Sequence, residues 1–386
     1  MAALDRCYNI HDLRAVAKKR LPRGIFEFVD RGTEEGVALA ENRAAFDRLR
    51  LLTRFMVDLS KRDMGTTIFG QRSALPFAIG PTGGVGLLWP QGELALARAA
   101  AAVGIPFALA TGSTTSIETI ARAGGRLWFQ LYMLDEVDIS YDMVARARDL
   151  NYEALIVTID SGLGRVREHN ERNGYDFPFR PNMRAFTDMM LHPGWLIGVL
   201  LRSALTTGAP KTVNYPAKYQ RLIDWGNAPR PRRYTAMTWK DIAKLRAFWP
   251  RKLLVKATLS ATDARLAVEH GADGVIVSNH GGRAMDSALS TIEALPEIVA
   301  AVGDRATVML DGGVRRGSDV AKALAIGAKM VLLGRATLYG VAAGGQPGAE
   351  KALGILASEF EKTMGYLGCR TVDELDREIF ARPMKV

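Results

Sequence analysis

The run SNHGGR places a histidine three residues ahead of an arginine, the most chemically loaded spacing in the chain. His280 is of the type best suited to moving a proton near neutral pH. Arg283 offers a forked guanidinium that grips a carboxylate through two parallel bonds. A histidine can also cap a turn or sit satisfied in a core, but this one ends the apolar run GVIVSN beside an arginine, which favours chemistry. The run ALIVTID ends in Asp160, a carboxylate of the kind that orients and charge-stabilises a catalytic imidazole. Arg167 follows as a second carboxylate clamp or as a solvated loop arginine. Lys256 ends the run KLLVKA and is either an imine-forming amine or a fixed positive charge beside an anion. LWFQLY ends with Gln130, a hydrogen-bonding amide, and Tyr132, a phenol placed to meet a substrate oxygen. TVMLDGG and KMVLLG lead into glycine-rich turns with Arg315 and Arg335, the composition of a phosphate site. Alone, these turns indicate only a phosphate-bearing ligand. GGVRRG is no P-loop, and no GxGxxG follows a strand, so a dinucleotide fold is disfavoured.

Eight apolar runs position these groups, beginning at Leu75, Ile105, Leu127, Ala154, Lys252, Gly274, Thr307 and Lys329. Continuous apolar runs of this length suit strands buried on both faces, as in a parallel sheet. Helical patterns such as GELALARAAAAVG, WKDIAKLRAF and GSDVAKALAIGA alternate with them, several closing on glycine. Strand then helix, eight times over, predicts an α/β (β/α)8 TIM barrel, whose working residues stand at the C-terminal strand ends. Residues 1–74 are expected to form an N-terminal helical cap on the bottom or side, and residues 75–386 the barrel. Residues 337–367 are expected to form two closing helices. The stretch between the fourth and fifth strands is far longer than a βα unit needs, and loops that long are usually functional or disordered.

The chain is 48% apolar and 24% charged, a globular composition, with a net charge of +10. Cys7 and Cys369 form no CxxC and no Cys/His cluster, so two free thiols and no metal site are expected. The N-terminus carries no apolar signal-peptide core, and no apolar run is long enough to span a bilayer, which together suggest a cytoplasmic location. Within the insert, residues 171–236, ten basic residues face four acidic ones, a net +6 of the chain's +10. The insert also holds an apolar stretch, Met189–Leu201, with Trp195, Tyr215 and Tyr219 as candidate anchors. Basic, apolar and aromatic together suggest a lid or a segment lying on the inner face of a cytoplasmic membrane. Charge concentrated in an apolar insert argues against nucleic acid as a partner.

The motifs KRLPRGIFEFVDRG, GPTG, WFQLY, VTID with RVRE, LLVKA, VSNHGGR and LDGGVRRGSDVAKALAIGA together resemble the FMN-dependent L-2-hydroxy-acid oxidase and dehydrogenase family. The likeness covers nearly the whole chain except roughly residues 171–236. It implies His280 as base, oriented by Asp160, with Arg167 and Arg283 on the substrate carboxylate and Tyr132 at the substrate hydroxyl. It implies Gln130, Thr158, Lys256 and Ser278 around the flavin ring, with Pro81, Thr82 and Gly83 along its edge. Asp311, Gly313, Arg315, Gly334 and Arg335 would hold the ribityl chain and phosphate. By analogy the protein would be a homo-oligomer, a tetramer.

Three departures bear on the substrate. Phe28 stands where the family usually has a tyrosine whose hydroxyl bonds the carboxylate, so one charge-assisted bond, worth about 1.5–3 kcal/mol, is missing. Ala110 replaces a serine, and Gly112 replaces an aromatic residue. With Val29 and Gly84 these imply a roomy, apolar pocket for a mandelate-like or otherwise bulky acid. Gly83, where glycolate-oxidase-like members tend to carry alanine, leans toward mandelate dehydrogenase-like members, which pass electrons to a quinone or other carrier. Lactate is a second substrate candidate. The competing expectations are an oxygen-using oxidase, an FMN enzyme for another substrate class, and a phosphate-binding barrel isomerase or lyase without net redox chemistry.

Overall fold

The eight apolar runs are eight strands: β1 (Phe77–Thr82), β2 (Phe107–Ala110), β3 (Leu127–Leu131), β4 (Ala154–Thr158), β5 (Lys252–Thr258), β6 (Gly274–Val277), β7 (Thr307–Asp311) and β8 (Met330–Leu333). The computed structural model describes residues 2–175, 179, 182–222 and 229–381. Neighbouring strands pair in parallel, and β8 closes on β1, giving the expected (β/α)8 barrel. Apart from polar residues at or near their ends, the strands are apolar because neither face meets water. Outward residues such as Phe107, Phe129 and Leu155 pack on the surrounding helices, while Ala78, Ala108, Trp128, Ile156, Leu254, Ile276 and Met309 fill the interior. Alanines on β1 and β2 make room for the Trp128 indole, whose Nε1 donates to Glu153 at 2.9 Å. Interior layers of alternating size are how such barrels become packed cores rather than pores.

The N-terminal end is closed by a small antiparallel hairpin, Thr66–Ile68 with Gln71–Ser73. Its turn, Phe69–Gly70, has both residues at positive φ, and Ile68 and Phe69 cap the interior, with the Phe69 ring 5.9 Å from Trp128. This corrects the expectation of helices alone in the first 74 residues. Strands of three residues are too short to show alternation, and Phe-Gly is an uncommon pair for a hairpin turn. The three expected helices do form, but on the side and around the opposite end. Ile10–Arg20, capped reciprocally by Asn9 and Asp12, runs along the C-terminal helix Arg335–Tyr366. Arg23–Asp30 crosses the short helix Glu168–Asn173, and Val37–Arg48 packs against Thr291–Val302. The two closing helices form one range, Arg335–Tyr366, interrupted by non-helical Gly344 and Gly345.

The insert leaves β4 and folds into short helices, among them Met183–Met190 and a continuous run from Pro193 to Thr206 with a π-helical middle. Residues 176–178, 180, 181 and 223–228 of the expected insert lie outside the described residues. The candidate anchors Trp195 and Tyr215 are buried instead, Trp195 donating its Nε1 to the Leu87 carbonyl at 2.8 Å, and Tyr219 packs partly buried against the core. The apolar residues that do face solvent are others. Met183, Phe186 and Met190 share one helix face, and Ile197, Leu201 and Leu205 form a stripe four residues apart on the next. No helix among the described residues is long and apolar enough to cross a membrane.

Trp128→Ala would empty the interior layer beside two alanines that cannot fill it. We expect a stability loss of about 3–5 kcal/mol, read as a lower urea midpoint at unchanged slope.

Candidate active site

A buried lysine ammonium organises the C-terminal face. Lys256 leaves β5 where its pairing with β6 slips by one residue, with Ala257 at φ +81° absorbing the bulge. Its Nζ lies 2.7 Å from Asp311 Oδ2 and 2.8 Å from Ser278 Oγ, and Ser278 donates onward to Asp311 at 2.7 Å. Burial alone would lower the ammonium's pKa, but Asp311 and Asp160 outweigh it and hold it above the ordinary lysine value. The lysine is therefore a fixed cation, not a neutral amine ready to form an imine.

Ser278 also accepts a hydrogen bond from the His280 amide at 3.0 Å. His280 sits at φ +58°, followed by Gly281 and Gly282 in the same left-handed region. A β-carbon on Gly282 would come 2.5 Å from the Leu39 amide, so this loop is pressed onto the helix Val37–Arg48 and tolerates only glycine there. Asn42 of that helix exchanges two side-chain amide bonds with Asn279, at 2.8 and 2.9 Å. The loop is thus over-determined from both sides, which is what a non-glycine residue at positive φ requires.

The geometry places the expected catalytic residues together. Both Asp160 oxygens lie 3.0 Å from His280 Nδ1, and the Tyr132 hydroxyl lies 3.1 Å from Nε2, its ring stacked on the imidazole. Burial, then the positive charge of Arg165, push the His280 pKa down to about 3 against the pull of Asp160. Asp160 is held well below the carboxylate range because His280, Arg165 and Lys256 outweigh its burial. A neutral imidazole fixed by an ionised carboxylate can accept a proton at Nε2.

An open cavity with about 1280 Å³ of empty space, its mouth included, lies over these groups. Pro81, Thr82, Gly83, Gln130, Tyr132, Thr158, Lys256 and His280 line it, as do Arg167, Arg283, Asp311, Gly313, Arg315, Gly334 and Arg335, with Phe28 and Gly112 on its wall. Asp160 and Ser278 stand behind the lining, one holding the imidazole and the other joining Lys256 to Asp311.

The arginines also do structural work. Arg283 Nη1 donates to the carbonyls of Phe28, Val29 and Arg31, and its guanidinium carbon lies 5.3 Å from the Phe28 ring centroid. Arg335 donates to Val29, Arg31 and Gly281 carbonyls, tying the helix Arg23–Asp30 to the barrel top. Arg167 Nη2 donates to the Arg283 carbonyl at 3.0 Å. On the β7 side, the amides of Arg315 and Arg316 bond Asp319 and that of Gly317 bonds Glu359. The helix terminus there is already capped, so the groups left for an anion are the Gly313 turn and Arg315.

Two lining arginines escaped the sequence reading. Arg165 lies 3.4 Å from Asp160 and 3.2 Å from His280 Nδ1, and Arg233, from the end of the insert, lies over the Tyr132 ring at 4.1 Å. The signal for Arg165 was its place two residues before Arg167. For Arg233 it was the basic run RPRRY, which the Leu134–Arg233 bridge folds back against the end of β3.

A family model for FMN-dependent dehydrogenases matches residues 17–382. The chain is 40% identical over 370 residues to (S)-mandelate dehydrogenase of Pseudomonas putida, covering 95% of this chain and 92% of that one. It is 38% identical over 374 residues to L-lactate dehydrogenase of Caulobacter sp. (strain K31), covering 96% and 97%. The solved structure of the monotopic membrane protein (S)-mandelate dehydrogenase matches with a TM-score of 0.89 at 37% identity, covering 98% of this chain and all 100% of that one. The cavity suits the cofactor named by the family. Gln130 Oε1 is buried with no protein partner among the described residues, an acceptor for a ring N–H, while Lys256 supplies a cation and a β-carbon on Gly334 would meet none of the described atoms within 4 Å. The chain belongs to the FMN-dependent dehydrogenase family: its cofactor is FMN, and its reaction is the oxidation of L-2-hydroxy acids.

Proposed function

We propose that the protein oxidises an L-2-hydroxy acid with a bulky, apolar side chain, mandelate-like rather than glycolate-like, and passes the electrons to a quinone or other carrier. The observation that carries this reading is one part of the lining of the cavity that also holds His280. Phe28, Ala110 and Gly112 line it, and a β-carbon added to Gly112 meets nothing within 4 Å. An aryl group has room there. Gly83 supports the choice of acceptor: a β-carbon on it would come 2.9 Å from the Gly112 carbonyl, a position where oxidase-like relatives tend to carry alanine.

In this reading Arg167 and Arg283 hold the substrate carboxylate, and Tyr132 bonds the substrate hydroxyl. His280 Nε2 takes a proton from the substrate, and Asp160 stabilises the imidazolium that results. Bound FMN supplies the ring that accepts the two electrons. Gln130, Thr158 and Lys256 hold that ring, the backbone of Pro81, Thr82 and Gly83 lies along its edge, and Asp311, Gly313, Arg315, Gly334 and Arg335 hold the ribityl phosphate. The exposed stripe Ile197, Leu201 and Leu205, the Met183–Phe186–Met190 face, and the basic residues around them support peripheral attachment to an anionic membrane surface. The similarity to a monotopic membrane protein supports the same view.

Anaerobic bleaching of the flavin tests the substrate. (S)-mandelate should bleach faster than lactate, and Gly112→Leu should raise KM for mandelate several-fold more than for lactate. Equal effects on both would remove the bulky-acid reading, and stoichiometric peroxide in air would replace the carrier by oxygen. His280→Gln should stay yellow yet lose a factor of at least 10²–10⁴ in turnover, and near-parental turnover would remove His280 as the base. Replacing Ile197, Leu201 and Leu205 together by glutamate should abolish binding to vesicles of anionic phospholipid at low salt and leave activity on a soluble dye unchanged. Failure of the parent chain to bind such vesicles would end the membrane assignment.

A further inference from the structure

Among the described residues seven lysines and arginines line the cavity, and six of them have an anion to meet. Lys256 lies 2.7 Å from Asp311, and Arg165 lies 3.4 Å from Asp160. In the reading above, Arg315 and Arg335 face the phosphate of FMN, while Arg167 and Arg283 face the substrate carboxylate. Arg233 is left over. Its partners are the Tyr132 ring, whose centroid lies 4.1 Å from the guanidinium carbon, and the Tyr215 hydroxyl, which accepts from Nη1 at a long 3.4 Å. Neither is a carboxylate. Arg283 and Arg335 each bond three backbone carbonyls, so their donors are largely occupied by the protein. Stacking engages the face of the Arg233 fork and leaves its N–H edge for other partners.

Arg233 is also fixed in place. The Tyr234 amide donates to the Met133 carbonyl at 3.0 Å and the Asp135 amide to the Arg232 carbonyl at 3.1 Å, which pins this end of the insert beside the end of β3. Arg283 follows β6, three strands away around the ring of eight, and Arg167 donates to its carbonyl. The contact between Tyr132 and His280 lies between these two sides. Gly112 belongs to the β3 side: its neighbour Thr111 accepts from the Tyr132 amide through Oγ1 at 2.8 Å.

We propose that Arg233 is a specificity residue for a second acidic group: the substrate is a 2-hydroxy acid whose bulky side chain passes Gly112 and ends in a carboxylate paired with Arg233. With its first carboxylate on Arg167 and Arg283 and its hydroxyl at Tyr132 and His280, the acid extends its side chain toward β2 and β3. The opening at Gly112 takes the apolar middle of that side chain, and Arg233 meets its end. The inference rests on the bulky-acid reading and narrows it to acids charged at both ends. Arg233 is half-buried, so the pair is screened by salt but less so than one on the open surface.

The test compares two acids of similar size on the FMN-loaded enzyme, (S)-4-carboxymandelate and (S)-4-methylmandelate. In the parent, kcat/KM for the carboxy acid should exceed that for the methyl acid by about tenfold or more at low salt. The difference should lie in KM and shrink as salt is added. Arg233→Met should lower kcat/KM for the carboxy acid about tenfold more than for the methyl acid, and Arg233→Lys, which keeps a charge, should retain part of the preference. If Arg233 only braces the Tyr132 ring, its loss lowers both acids alike and mainly in kcat. That result, or a parent that prefers the methyl acid, would overturn the proposal. Binding of 4-carboxyphenylacetate and 4-methylphenylacetate, which have no hydroxyl to oxidise, is read from the flavin difference spectrum. If neither mandelate bleaches the flavin, the substrate reading fails. Equal binding of the two phenylacetates by the parent removes the role of Arg233 whether or not that reading stands.

Discussion

A positive charge buried at the end of β5 is the constraint from which the active-site arrangement follows. An ammonium removed from water is costly unless matched, and Lys256 is matched by Asp311 at 2.7 Å, with Ser278 bridging the two. The same field keeps Asp160 ionised, and Asp160 in turn fixes His280. Against that order, burial and then Arg165 keep the imidazole neutral. Imidazole, carboxylate and lysine are therefore one electrostatic unit, and altering any member changes the proton affinity of the others.

That unit stays in place because segments distant in sequence brace it. The amide pair Asn42–Asn279 locks the histidine loop to an N-terminal helix, and the carbonyls ending the helix Arg23–Asp30 are gripped by Arg283 and Arg335. The first fifty residues thus act less as a cover than as the back wall of the site. Two arginines expected to serve ligands also serve this wall, so their removal would cost positioning as well as charge.

Much of this was legible in the sequence. Buried parallel strands read as unbroken apolar runs, and all eight were visible, together with the polar residues at their ends. The site residues were readable because a barrel delivers every strand end to the same face, whatever the separation in sequence. What escaped depended on tertiary placement. The hairpin Thr66–Ser73 is too short for periodicity. Trp195 reads as an interfacial anchor until its indole is found bonded beneath the Leu87 carbonyl. Arg165 and Arg233 sit in loops whose path no pattern encodes, and only the folded chain brings them to the imidazole and the phenol.

The hairpin that seals the N-terminal end has a consequence for traffic. With Ile68 and Phe69 over Trp128 and the interior filled by side chains, the described residues close the chamber above from the N-terminal end. Whatever enters to be oxidised and whatever carries its electrons away would then share the C-terminal mouth, and each would have to wait for the other to leave.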